Sequence, residues 1–147
     1  VTAQPTATGR PLAEPLPCVF CRIIAEELPA HLVTADAAAI AILTDRPAAL
    51  GHTLVIPRRH AEHIWDATAD EVAAVMRTVH ATATLLRDRL NCDGLTIRQN
   101  NGEASMQRVP HLHVHLVPRW HGDGGLAWPS PPDPTPDPTE VLRALHS

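Results

Sequence analysis

VPHLHVHLVPR, residues 109 to 119, sets His111, His113 and His115 at alternate positions between Leu112, Val114 and Leu116. Alternation with a period of two is the mark of a β-strand, whose successive side chains point to opposite faces. The segment therefore reads as a pleated strand with an imidazole face and an apolar face. Imidazoles on one face would stand roughly 7 Å apart, at about 3.3 Å rise per residue. An unpaired imidazole is costly to bury, so that face must meet water, a ligand, a metal or another polar group.

Three readings of the stripe are open: a solvated strand face, a three-histidine metal site, and a catalytic row. A solvated face ordinarily mixes Thr, Lys, Glu and Ser, and three imidazoles can chelate a metal. A histidine can also attack phosphorus when one ring nitrogen is bare and an acceptor fixes the proton on the other. The central residue, His113, has a histidine on either side to support it and is the natural nucleophile. The catalytic row is the preferred reading.

Working outward, GLTIRQN (94–100) reads as a strand and NGEASMQR as a polar turn. AAAIAIL (37–43) and HTLVIP (52–57) read as strands separated by the turn-rich TDRPAALG. Thr68 and Glu71 form a capping-box pattern ahead of Val72, Val75, Met76, Val79, Ala83, Leu86 and Leu90, which repeat with helical spacing. The resulting helix, about 22 residues and roughly 33 Å long, ends near Asn91. CVFCRIIAEEL predicts a short helix with Val19, Ile23 and Ile24 on one face, closed before Pro29. The expected class is α+β: an antiparallel sheet covered on one side, with one long and one short helix packed against it.

The chain has 147 residues, 44% of them hydrophobic, enough for one domain with a buried core. Residues 1–17 read as a flexible tail and 18–128 as the domain. Residues 129–147 read as a proline-rich tail with room for a short docked helix in TEVLRALHS. No apolar run approaches the roughly 18 residues of a membrane span. A net charge of −4 and four aromatic side chains argue against polymeric nucleic acid as partner. The N-terminal stretch has no secretory apolar core, which predicts a cytoplasmic protein. Cys18, Cys21 and Cys92 are an odd set, better suited to thiols or a metal than to disulfides. The C-x-x-C spacing of Cys18 and Cys21 lets two thiolates reach one metal, while a redox dithiol or two packed thiols remain open readings.

HLHVHLV resembles the His-φ-His-φ-His-φ-φ signature of the histidine triad (HIT) superfamily of nucleotide hydrolases and transferases. CVFCRIIAEELPA, GHTLVIPRRH, the long helix, QNNGEASMQRVPHLHVHLVPR and GDG look like successive blocks of its small bacterial members. The resemblance implies that His113 attacks the α-phosphorus of a purine nucleotide and forms a nucleotidyl-histidine that water then hydrolyses. The substrate would be a nucleotide phosphoramidate or a dinucleoside polyphosphate.

By the same resemblance His115 orients the nucleophile and contacts phosphate or leaving group, His111 completes the row, and His52 faces it. Asn100 and Gln107 would contact phosphate, Asp45 the ribose, and Val19, Phe20, Ile23, Ile42 and Leu54 would form an apolar base pocket. Cys18, Cys21, His60 and His111 would hold a structural zinc, and a homodimer is expected. Thr44, Met106 and Arg108 depart from the family pattern at the ribose position, the phosphate loop and the leaving-group position. The alternatives are a zinc-bearing nucleotide-binding regulatory protein with little turnover and a metal-binding module.

Overall fold

A computed structural model describes residues 18–125 and 128–147; the expected N-terminal tail lies outside them. Among the described residues there are five strands: β1 (Leu32–Ala35), β2 (Ala39–Leu43), β3 (Thr53–Pro57), β4 (Gly94–Gln99) and β5 (Val114–Arg119). They form one sheet in the order β1-β2-β3-β5-β4, and every neighbouring pair is antiparallel. Three helices, α1 (Val19–Ile24), α2 (Ala69–Leu90) and α3 (Pro138–His146), complete the α+β fold.

The α2 boundaries follow local chemistry. The Thr68 hydroxyl accepts the Glu71 N–H at 3.1 Å while the Glu71 carboxylate accepts the Thr68 N–H at 2.7 Å, so two orphan donors are satisfied reciprocally. Asn91 closes the helix in the left-handed region at φ 53°. The buried stripe is Val75, Thr78, Val79, Thr82 and Leu86, whereas Met76 is exposed. Hydropathy found most of that face but missed Thr78 and Thr82, which return their hydroxyls to helix carbonyls or to Asp36 and so pack like apolar residues.

Both faces of the sheet are covered, where one was expected. On one face Ala39, Ala41, Leu43, Val55, Val114 and Leu116 join Val75, Val79 and Leu86 of α2 and Val141 and Leu145 of α3 in a single core. On the other, Ile40, Ile42, Leu54 and Ile56 pack against Phe20 of α1. Alternating strands sandwiched in this way bury every residue of β2 and β3. TEVLRALHS is therefore helical and part of the core, with His146 Nε2 donating to the Val33 carbonyl at 2.8 Å.

Two strand readings change. β1 was not anticipated: it is short, lies at the sheet edge and exposes Leu32, so it carries too little alternation to register as a strand. β5 begins at Val114 rather than His111, because β3 supplies ladder partners only as far as the pair Val55–Val114. Beyond it the Leu112 N–H bonds to the Ala61 carbonyl, and Leu112 still faces the core.

Candidate functional site

The four histidines around the triad lie on the α1 side of the sheet, and their hydrogen bonds assign their tautomers. His113 Nδ1 lies 2.7 Å from the His111 carbonyl, which can only accept, so the proton sits on Nδ1 and Nε2 is bare. Among the described residues no sealed side-chain nitrogen lacks a partner. His113 Nε2 has no partner among the described residues, so it reaches the surface although the residue is only 6% exposed.

A second chain of bonds starts at a backbone amide. The Ala48 N–H donates to His52 Nδ1 at 2.9 Å, which forces the His52 proton onto Nε2. His52 Nε2 then donates to His115 Nδ1 at 2.9 Å, leaving His115 with its proton on Nε2. The row thus presents a bare nitrogen on His113 and an N–H donor on His115, with ring centroids 5.0 Å apart.

Burial holds these imidazoles neutral. Desolvation, and then the neighbouring His113, lower His52 from its ordinary 6.5 to about 4. His111 falls to about 4, chiefly by burial. His115 falls to about 3 through burial, then His113, His52 and the Arg98 charge. His113 is also lowered, again chiefly by burial. A neutral imidazole is the form able to act as nucleophile near pH 7.

His111, fully buried, faces away from the others. Its Nε2–H donates to the Pro57 carbonyl at 2.8 Å, which leaves Nδ1 bare. That nitrogen stands 3.3 Å from Cys18 Sγ, 3.5 Å from Cys21 Sγ and 3.1 Å from His60 Nδ1. Cys21 Sγ is 3.3 Å from His60 Nδ1, and all four donor atoms lie within 4.8 Å of one another. A tetrahedral zinc ion with its usual bond lengths separates nitrogen ligands by about 3.3 Å and sulfur from nitrogen by about 3.6 Å. The convergent donors match that spacing and stereochemistry. Burial and the adjacent Cys18 push the Cys21 thiol up to about 11, an effect that a bound cation reverses. The Cys18–Cys21 pair is free of disulfide.

The remaining expected residues divide. Phe20, Ile42 and Leu54 form the apolar cluster beside the row with Ile23 at its margin, and Phe20 meets His113 edge-on at 5.2 Å. Val19 is 40% exposed and outside the cluster, because the short α1 turns Phe20 rather than Val19 inward. A cavity of about 520 Å³ opens between the end of α1 and β1–β2, lined by Ile23, Ile24, Ile40 and Ile42 among others; the triad histidines do not line it.

Asp45 is exposed in the turn after β2, and the Thr44 hydroxyl accepts the Arg46 N–H at 3.2 Å. Gln107 is a loop clamp in this conformation: its oxygen accepts the Gly102 N–H at 2.6 Å and its nitrogen donates to Glu62 O at 2.7 Å and Val109 O at 3.1 Å. Met106 precedes it at φ 69°, a left-handed geometry that glycine adopts more readily. Asn100 donates to the Ser105 carbonyl and accepts from Arg98 Nε. Arg108 is exposed.

Sequence reasoning missed Arg98 and Trp128. Arg98 is directly opposite His115 in the β4–β5 register, and its guanidinium carbon lies 4.7 Å from the centroid of the Trp128 ring. That ring meets both His52 and His115 at 5.7 Å. Arg98 was legible in principle, two residues before Asn100 on the same strand face; Trp128 was not, since only tertiary folding returns it to the row.

Fold and site together define a histidine triad protein. The chain belongs to the HIT domain family, whose description matches residues 25–122. It is 40% identical over 107 residues to an uncharacterised HIT-like protein of Methanocaldococcus jannaschii, covering 73% of this chain and 82% of that one. An adenosine 5′-monophosphoramidase of Saccharomyces cerevisiae is 32% identical over 115 residues, covering 77% of this chain and 70% of the yeast protein. Among solved structures, a zinc-bound histidine triad family protein from Mycobacterium smegmatis matches with a TM-score of 0.79 at 37% identity, covering 88% of this chain and 91% of that one. No helix of the described residues is long and apolar enough to cross a membrane.

Proposed function

We propose that this protein is a hydrolase or nucleotidyl transferase acting on a purine nucleotide phosphoramidate or a dinucleoside polyphosphate through a nucleotidyl-histidine on His113. The observation that carries the reading is the bare, surface-reaching Nε2 of His113, whose Nδ1 proton is tied to the His111 carbonyl. That nitrogen attacks the α-phosphorus while the leaving group departs on the far side. Its Nδ1–H, held by a carbonyl, stabilises the positive charge that the ring acquires. The His115 Nε2–H, fixed by the relay from Ala48 through His52, donates to a phosphoryl oxygen or to the departing atom. The apolar wall of Phe20, Ile42 and Leu54 receives the base. Kinship with a monophosphoramidase supports the same chemistry.

Zinc held by Cys18, Cys21, His60 and His111 has a structural role in this reading. Bound there, it would tie α1 to the triad segment and would leave no position for a catalytic water, since the four residues offer one donor atom each. The free thiols suit a reducing, cytoplasmic setting. The outer edge of β4 offers the surface for a homodimer.

The test is AMP release from adenosine 5′-phosphoramidate and from diadenosine polyphosphates by wild type and His113→Ala. Release by wild type and its loss in the variant are expected; equal release by both would overturn the assignment. A second reading, nucleotide binding with little turnover, draws on the engagement of Gln107 with the backbone and predicts binding without release. Metal analysis of wild type and Cys18→Ala checks zinc separately: about one equivalent is expected in the first and much less in the second.

A further inference from the structure

The nucleophile sits between two unlike walls. Toward β2 and β3 lie Ile42, Leu54 and Phe20, an apolar surface for a flat base. Toward β4 lie His115, Trp128 and Arg98, the last half-buried opposite His115 in the strand register. Arg98 is held in place from two directions. Its Nε donates to Asn100 Oδ1 at 3.0 Å, and its guanidinium rests over the Trp128 ring. The two terminal nitrogens hold no bond to the described residues, so a planar pair of donors stays available beside His115. Cross-strand neighbours share a sheet face, which directs that donor pair toward the histidine row.

An in-line displacement at phosphorus needs the leaving group opposite the nucleophile, and a base seated on the apolar wall sends that group toward β4. We propose that Arg98, braced by Trp128, is a specificity-determining residue that binds an anionic, phosphate-bearing leaving group. The inference rests on the hydrolase reading above. With diadenosine tetraphosphate the bond from His113 Nε2 to the α-phosphorus forms as the bond from that phosphorus to the bridging oxygen breaks. The electron pair leaves on that oxygen, so ATP departs as an oxyanion without needing a proton, and Arg98 meets its charge. Water then attacks phosphorus, the N–P bond returns its pair to Nε2, one water proton passes to solvent, and AMP is released. An amine leaving group needs a proton instead of a counter-charge and draws nothing from Arg98.

The test uses the full chain as wild type, Arg98→Met and Arg98→Lys, with adenosine 5′-phosphoramidate and diadenosine tetraphosphate. Both substrates transfer the same adenylyl group and differ in what leaves. For Arg98→Met, kcat/KM on the tetraphosphate should fall about tenfold or more while the phosphoramidate changes less than about twofold. Arg98→Lys, which keeps the charge and loses the fork, should lie between. Added salt should raise KM for the tetraphosphate in wild type and barely in Arg98→Met.

Equal losses on both substrates would overturn the proposal and make the Arg98–Trp128 pair a clip for the C-terminal segment. An unchanged ratio with normal activity, or a wild type that cleaves only the phosphoramidate, would overturn it as well. A wild type that cleaves neither substrate brings down the hydrolase reading itself, a result distinct from any of these.

Discussion

At the scale of single residues, the site depends on where protons are held. The Ala48 amide and the His111 carbonyl are backbone groups, and they fix which nitrogen of His52 and His113 is bare. Burial of the imidazoles also links stability to pH. An unfolded histidine titrates near 6.5 and folded His52 near 4, so between those values the unfolded chain binds more protons than the folded one. Stability is therefore full above about 6.5 and falls as the pH drops toward 4. Denaturant midpoints measured across that range should decline on acidification, and His52→Gln should flatten the decline. Gly51 is a second point of leverage. It holds φ +79° directly before His52, and a Cβ there would stand 2.3 Å from Leu90 Cδ1. Gly51→Ala should cost about 1–2 kcal/mol for the left-handed backbone alone, read as a lowered midpoint. The His52–His115 bond should weaken with it, read as lower activity.

Elements were legible to different degrees. The Thr68 capping box, the helical period after it and the turn at Asn91 are local signals, and they set α2 to within a residue at either end. Which α2 face is buried depended on neighbours, since only Asp36 and the helix's own carbonyls make Thr78 and Thr82 fit for the interior. α3 is the clearest case of an element given its worth by its surroundings. Its Val141 and Leu145 are buried against α2 and the sheet. Deleting residues 138–147 should lower stability by about 3–6 kcal/mol, since each of the two buried apolar side chains contributes about 1.5–3 kcal/mol. Chemical denaturation with and without the segment checks this, and an unchanged midpoint would place α3 outside the cooperative unit.

On the scale of the whole molecule, the sheet has two edge strands among the described residues, β1 and β4. β4 pairs with β5 on one side only, and Ile97 is 49% exposed on it. An unpaired edge bearing an apolar side chain is a template for another strand. Sedimentation of wild type should give a dimer, and Ile97→Asp should shift it toward monomer with little change in helix content. A monomeric wild type would remove β4 as the interface. Arg98 lies on the same strand, so dissociation should also disturb the leaving-group side of the row more than the apolar wall.

The family resemblance supplied the set Cys18, Cys21, His60 and His111 that converges in one cluster, and the amino-acid sequence by itself determined the alternating histidine segment, the long capped helix and the α+β class. These follow from periods of two and of 3.6, from capping chemistry and from spacing, all of which are local or carried in short motifs. Tertiary structure alone decided that His111 and His113 are buried while His115 is half-buried, that Gln107 clamps a loop, and that Trp128 returns to the row beside Arg98. It also decided which nitrogen of His111 and His115 carries a proton, because the partners that choose, the Pro57 carbonyl and the His52 ring, come from distant segments. Pairing across such distances depends on register and packing, which no local pattern of side chains encodes.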